Sequence, residues 1–234
     1  MILCLETATS LCSAALCDRK GIVALKESGE DRSHASRLTL FINDILKEAG
    51  IKAGDLEAVA VSKGPGSYTG LRIGVSTGKG IAYAASIPLI SVDTTFSMFL
   101  GFHTEAKKKY DIRQSDLFCP ALDARRMEIY YSVFDGAGNT VKGICAEIVD
   151  RNFLTETGAG ERIFVFGEGA AKCREVMERK NVVFEDGFMI SAAFMKAAAY
   201  DALDNKRFED VAYFEPFYLK DFLTSRPVKN LPGK

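Results

Sequence analysis

Gly64-Pro65-Gly66-Ser67-Tyr68-Thr69-Gly70 follows a β-branched run and precedes a helix-like stretch, an arrangement whose backbone amides can cradle a phosphate. The Lys-Ser/Thr pair that a Walker A loop uses on phosphates and magnesium does not follow it, so that is the weakest reading of the segment. Gly70, Gly74 and Gly78 recur four residues apart and form a stripe that drifts by about 40° per step around a helix. Each internal glycine lowers helix stability by roughly 0.5–1 kcal/mol relative to alanine, so a closely packed neighbour must offset about 1–2 kcal/mol for Gly74 and Gly78 together. That neighbour is either the chain's own sheet or a helix of a second chain. The second alternative sets Leu38, Phe41, Ile42, Ile45, Gly70, Leu71, Gly74, Val75, Gly78 and Ala82 at a partner interface. Metal chemistry has little to work with: His34 and His103 are the two histidines, far apart and without HxxxH or HExxH spacing. The six cysteines form no CxxC pair and sit in apolar runs, which reads as reduced core residues.

The elements that position these residues follow from periodicity. Three short runs, 2–6, 12–18 and 21–28, read as an antiparallel meander. Apolar residues at 38, 41, 42, 45, 46 and 49 recur at intervals of three and four, which predicts an amphipathic helix over 33–49, with Gly50 at its C-terminal end. A strand over 57–62, the glycine segment, a helix over 69–86, a strand over 89–92 and a helix over 94–109 follow. The pattern restarts at Asp116 with strands at 117–122, 127–134 and 141–149. A strand at 163–167, a helix to 179, a strand at 182–185 and a helix over 191–205 complete it. The expected division is 1–110, 111–210 and a surface tail, 211–234, that is aromatic and then rich in Pro and Lys; a contact arm is its alternative role.

With 30 Lys plus Arg against 31 Asp plus Glu there is no overall positive field, which argues against a free-standing nucleic-acid clamp. The first residues lack a basic segment ahead of an apolar one, and the longest mostly apolar stretch, 80–92, is short of a bilayer span and contains Pro88. A cytoplasmic protein without membrane association is expected.

Two regions that each spell a strand-strand-strand-helix-strand-helix order match the layout of the actin, Hsp70 and sugar-kinase (ASKHA) superfamily, an α/β fold with nucleotide in the cleft between two domains. In that layout the first hairpin carries an acid and a Gly-Thr-type turn. Here it reads Glu6-Thr7-Ala8-Thr9-Ser10, so Glu6 and Thr7 become candidate nucleotide or anion contacts, while Ala8 puts a β-carbon where glycine would allow a phosphate close. The second hairpin, Asp123-Ala124-Arg125-Arg126, has Arg125 and Arg126 in place of a glycine pair, either as anion contacts or as exposed side chains. The turn Gly167–Lys172 (GEGAAK) resembles an adenosine-side turn.

The segments ILCLETATS, RSHASRL, AVSKGPGSYTGLRIG, ALDARRMEIYYSVFD and FEPFYLK, spread over nearly the whole chain, resemble the TsaB family, also called YeaZ. The resemblance implies a paralogue of TsaD in bacterial synthesis of N6-threonylcarbamoyladenosine beside the anticodon of ANN-decoding tRNAs. TsaD of that system carries the metal site and transfers the threonylcarbamoyl group, TsaB is its dimerisation and activating subunit, and the ATPase TsaE joins them. It also implies a heterodimer seam built from the first two helices, with tRNA engaged through the complex and a homodimer as the state open to the isolated chain. No cofactor of its own is implied, and ATP or ADP is left a place at the heterodimer interface. Without HxxxH, this chain is expected to be no enzyme by itself. The rival readings are an ATP-dependent small-molecule kinase of the same fold and a glycoprotease-like hydrolase.

Overall fold

The computed structural model describes residues 1–29, 34–158, 160–185 and 187–220. The His34 side chain, the expected helix start at 33 and the end of the tail from 221 lie outside the described residues. Alternation builds the first sheet. In β1 (Ile2–Glu6), Leu3 and Leu5 enter one core layer while Ile2 and Cys4 enter another on the opposite face. β1 pairs antiparallel with β2 (Cys12–Cys17), which pairs antiparallel with β3 (Ile22–Ser28). On its other side β1 runs parallel to β4 (Ala58–Gly64), and β4 runs parallel to β5 (Leu89–Asp93). The resulting order is β3-β2-β1-β4-β5. The second sheet, β10-β9-β6-β7-β8, repeats it: β6 (Leu117–Asp123), β7 (Glu128–Asp135) and β8 (Thr140–Ile148) form the meander. β9 (Ile163–Phe166) and β10 (Val182–Glu185) are the parallel pair. This is the duplicated α/β architecture expected from the sequence.

Helices lie on all four faces of the two sheets, and two of those faces are covered by helices from the other half of the chain. α1 (His34–Ala49) and α2 (Tyr68–Ala85) lie on one face of the first sheet, where Leu38, Ile42, Ile45, Val75 and Ala82 join Leu3, Leu5 and Val61. The opposite face is closed by a 3-10 turn, Ala192–Met195, and α5 (Lys196–Asp204), both from the far end of the chain. Conversely α3 (Thr94–Lys109) sets Met98, Phe99, Phe102 and Ala106 against Phe118, Phe134, Phe164 and Phe166 of the second sheet. The cut near residue 110 therefore follows the order of the chain, whereas in space each sheet is completed by a helix from the other half. α4 (Ala170–Val176) is shorter than the expected helix to 179, because its last turn closes at Met177, whose amide donates to Cys173 O. Among the described residues no helix stands between β8 and β9; turns over 149–157 carry Val149, Phe153 and Leu154 into the remaining core face beside Ala170 and Cys173 of α4. The second half thus departs from the expected order at that one position.

Five of the six cysteines are buried and Cys145 is half-buried, all as reduced thiols, with Cys4 and Cys17 in sulfur contact at 4.0 Å. Burial pushes Cys12 up to about 11 and Cys173 up to about 12. Among the described residues no helix is long and apolar enough to cross a membrane.

Candidate functional site

β4 leaves the sheet through Gly64 at φ 115°, a conformation that L side chains rarely adopt, and the chain turns into α2. Ser67 caps α2 by accepting a hydrogen bond from Gly70 N at 3.2 Å. The glycine stripe then faces inward. A β-carbon on Gly70 would lie 2.0 Å from Thr7 O, on Gly74 2.3 Å from Thr7 Oγ1, and on Gly78 2.4 Å from Val61 Cγ1. The chain's own sheet is therefore the close neighbour that the glycine pattern demanded.

This corrects the candidate interface. Leu38, Ile42, Ile45, Gly70, Leu71, Gly74, Val75, Gly78 and Ala82 are buried within the chain, and Phe41 is half-buried against the same core. A side chain already packed against its own sheet has no surface left for a partner. The outward surface of the same helices carries Leu40, 59% exposed, and Tyr83, 81% exposed, together with the exposed Asn43, Asp44, Lys47 and Glu48 of α1 and Ser76 and Gly80 of α2. The sequence signal for these two was their place opposite the regular apolar stripe, where a polar residue would be ordinary. α2 contains two charged residues, Arg72 and Lys79, and both are turned to one flank.

That flank holds the chain's last described segment, a strap over 209–220. Glu209 N donates to Leu89 O at 2.8 Å, and Lys79 Nζ donates to the carbonyls of Ala212 at 3.2 Å and Phe214 at 2.9 Å. Further along, Phe217 N donates to Lys63 O at 2.7 Å, and Arg72 Nε donates to the Tyr218 hydroxyl at 3.1 Å while its guanidinium sits 4.1 Å from the Tyr68 ring centre. Lys220 ends the run on Glu128 of the second half. The described part of the tail, to residue 220, runs along the flank of α2.

The two hairpins meet at a cleft of about 550 Å³. Glu6 does not open into it. Its carboxyl is buried, accepts hydrogen bonds from Ala8 N at 2.7 Å and from Ser62 Oγ, and is pushed up to about 7 by burial, against the opposing pull of those bonds. Thr7 is buried beneath α2. Ser67 N donates to Ala8 O at 2.7 Å, and a β-carbon on Gly66 would lie 2.3 Å from that same oxygen. The glycine loop therefore rests directly on the first hairpin, in the ground a phosphate would need. Across the cleft, Ser10 Oγ donates to Glu168 at 2.6 Å. Asp123 accepts from Arg125 N at 2.5 Å and from Lys172 at 2.8 Å. Arg125 and Arg126 adopt φ of 70° and 50°, so the backbone of a glycine pair persists under arginine side chains. Arg125 lines the cleft and Arg126 is exposed outside it. Of the four expected nucleotide or anion contacts, the structure leaves Arg125 in place and turns Glu6 and Thr7 inward. The two acids that line the cleft, Asp123 and Glu168, are engaged by Lys172 and Ser10.

His103 is half-buried between Phe99, 5.0 Å away ring to ring, and Phe118, 5.2 Å away, which makes it a packing residue whose ionisation burial disfavours. Among the described residues no three His, Cys, Asp or Glu side chains converge as metal ligands.

Residues 27–216 match the family model described as TsaD: tRNA N6-adenosine threonylcarbamoyltransferase. Over its whole length the chain is 30% identical to the tRNA threonylcarbamoyladenosine biosynthesis protein TsaB of Escherichia coli, covering 99% of that protein. It is 28% identical to the protein of the same name from Haemophilus influenzae, across all of this chain and 98% of that one. Among solved structures, YeaZ from Pseudomonas aeruginosa superposes with a TM-score of 0.81 over 93% of this chain and 99% of that chain, at 23% identity, which establishes likeness of fold.

Proposed function

The chain belongs to the TsaB/YeaZ family, and from that premise we propose that it is the non-catalytic dimerisation and activating subunit for a TsaD-type paralogue in tRNA threonylcarbamoyladenosine synthesis. The observation that carries this reading is the outer surface of α1 and α2: it presents Leu40 and Tyr83 to solvent, rimmed by Asp44, Lys47 and Glu48 of α1, while both charges of α2 are diverted to its flank. A face of that kind, backed by a core that fixes both helices, suits a helix pair of a second protein with the same fold. The seam therefore runs over Leu40 and Tyr83, and the buried stripe keeps α2 flat on its own sheet beneath them.

The absence of HxxxH from the sequence supports assigning the transfer chemistry to the paralogue. The burial of Glu6 and the engagement of the cleft acids Asp123 and Glu168 weigh against the kinase alternative. A TsaE-type ATPase and tRNA join the same assembly in this reading. Reconstitution tests it: the paralogue with this chain is expected to modify ANN-decoding tRNA in the presence of the other components, and either subunit alone is not. Modification by this chain alone, or by the paralogue at full rate without it, would end the proposal.

A further inference from the structure

Three ridges lie side by side on this molecule: α1, α2 and the strap over 209–220. On α2 the half-buried Ile73, Thr77 and Ile81 share one side, and Tyr68, Arg72 and Lys79 share the side that meets the strap. The strap's inner residues, Val211 and Phe214, pack into the core under α1 and α2. Tyr213, between them, is 84% exposed. It sits at the level of Lys79, whose ammonium binds the carbonyls on either side of it, and Tyr83 is one helical turn further along α2. The two most exposed aromatic rings among the described residues therefore stand on adjacent ridges about one turn apart.

The strap also changes the chemistry of α2. Without it, Arg72 and Lys79 would stand as free cations beside the outward face, and seating an apolar partner against them would require stripping their hydration. With it, Lys79 is held by two carbonyls and Arg72 by the Tyr218 hydroxyl and the Tyr68 ring. We infer that the strap is the third ridge of the docking surface, with Tyr213 in direct contact with the TsaD-type paralogue. The inference rests on the proposed function and deepens it, by extending the seam from two helices to two helices and a segment of the tail.

Affinity of the full chain for the paralogue, measured by titration calorimetry, tests this with three variants: Tyr83→Glu, Tyr213→Glu and, as a control on the far sheet, Ile148→Glu, whose parent residue is 68% exposed on β8. Tyr213→Glu is expected to weaken binding about tenfold or more while Ile148→Glu stays within about twofold of the parent. Circular dichroism melting confirms folding, and should Tyr213→Glu prove unstable, Tyr213→Ser is expected to give at least about a threefold loss. If Tyr83→Glu destroys binding while both Tyr213 variants bind as the parent does, the strap inference is overturned and the two-helix seam stands. If the Tyr83 and Tyr213 variants all bind normally, the seam itself is misplaced and the strap inference falls with it.

Discussion

The two sheets share one strand order, yet their corresponding faces are finished differently. On the first, the sixteen residues of α1 lie across β2 and β3 and leave an outward layer of helix beside the eighteen residues of α2. On the second, the described residues between β8 and β9 form no helix, α4 has seven residues, and Phe153 packs edge-on to Tyr131 at 4.9 Å. There the Tyr131 hydroxyl donates to Glu147, and Lys142 reaches both that carboxylate, at 3.1 Å, and the Tyr131 ring, at 4.9 Å. One half ends in a helical layer able to meet another protein, and the other closes over its own sheet with a turn and a polar clasp. Under the proposed function, recognition falls to one copy of the duplicated fold and the other serves as scaffold.

The hairpins differ in the same manner. Glu6 and Asp123 both end the first strand of a meander, but Glu6 is buried and Asp123 is half open to water with Lys172 beside it. The largest test of the contrast is Gly74→Leu. Its branched side chain has no room above Thr7, so destabilisation of about 3 kcal/mol or more is expected, read as loss of the cooperative thermal transition. A folded Gly74→Leu protein that had lost only its partner would mean the stripe faces outward after all.

A smaller effect distinguishes the acids. The Glu6 carboxyl is raised from 4.5 to about 7 by burial, so the folded state holds its proton after the unfolded chain has released it. Its contribution to stability is complete below pH 4.5, falls as pH rises toward 7, and levels off above that with about 3 kcal/mol removed, an order-of-magnitude figure. Glu6→Gln is expected to abolish that slope and to be more stable than the parent at pH 8 in urea titrations. Asp123→Asn, at a surface pair, is expected to change stability by about 0.5 kcal/mol or less. Equal pH profiles for parent and Glu6→Gln would remove the distinction between the hairpins.

The smallest test exchanges glycine into each turn. Arg125→Gly relieves a left-handed backbone and is expected to raise stability by about 0.5–1 kcal/mol, whereas Ala8→Gly, where φ is not left-handed, is expected to lower it by a similar amount. Melting temperatures that move in the same direction for both would show that the two turns are not under different backbone demands.

Much of the architecture was legible because strands alternate and helices repeat at three and four: the elements expected over 2–6, 33–49, 57–62 and 117–122 announce themselves in this way, and the structure has β1, α1, β4 and β6 there. What stayed hidden has a common physical origin. Periodicity tells that Phe99 and Phe102 are buried but does not name the sheet that buries them, so the passage of α3 to the second sheet and of α5 to the first could not be read. The glycine stripe signalled a close approach in the same ambiguous way, and proximity to Thr7 decided it. The run 149–162 contains Gly158 and Gly160 and no sustained helical period, so the sequence itself carries the break in the duplicated order. The hold of Lys79 on two carbonyls of the strap leaves no mark in the sequence, since a lysine on a helix flank is commonly solvated.

The exchange of α3 and α5 between the sheets has a consequence for how this chain can be taken apart. A single break in the loop over 110–115 would leave two pieces, each holding the helix that seals the other's hydrophobic layer. Such fragments would stay associated as a noncovalent pair, and neither could be grafted or expressed as an autonomous module without baring a broad apolar plane.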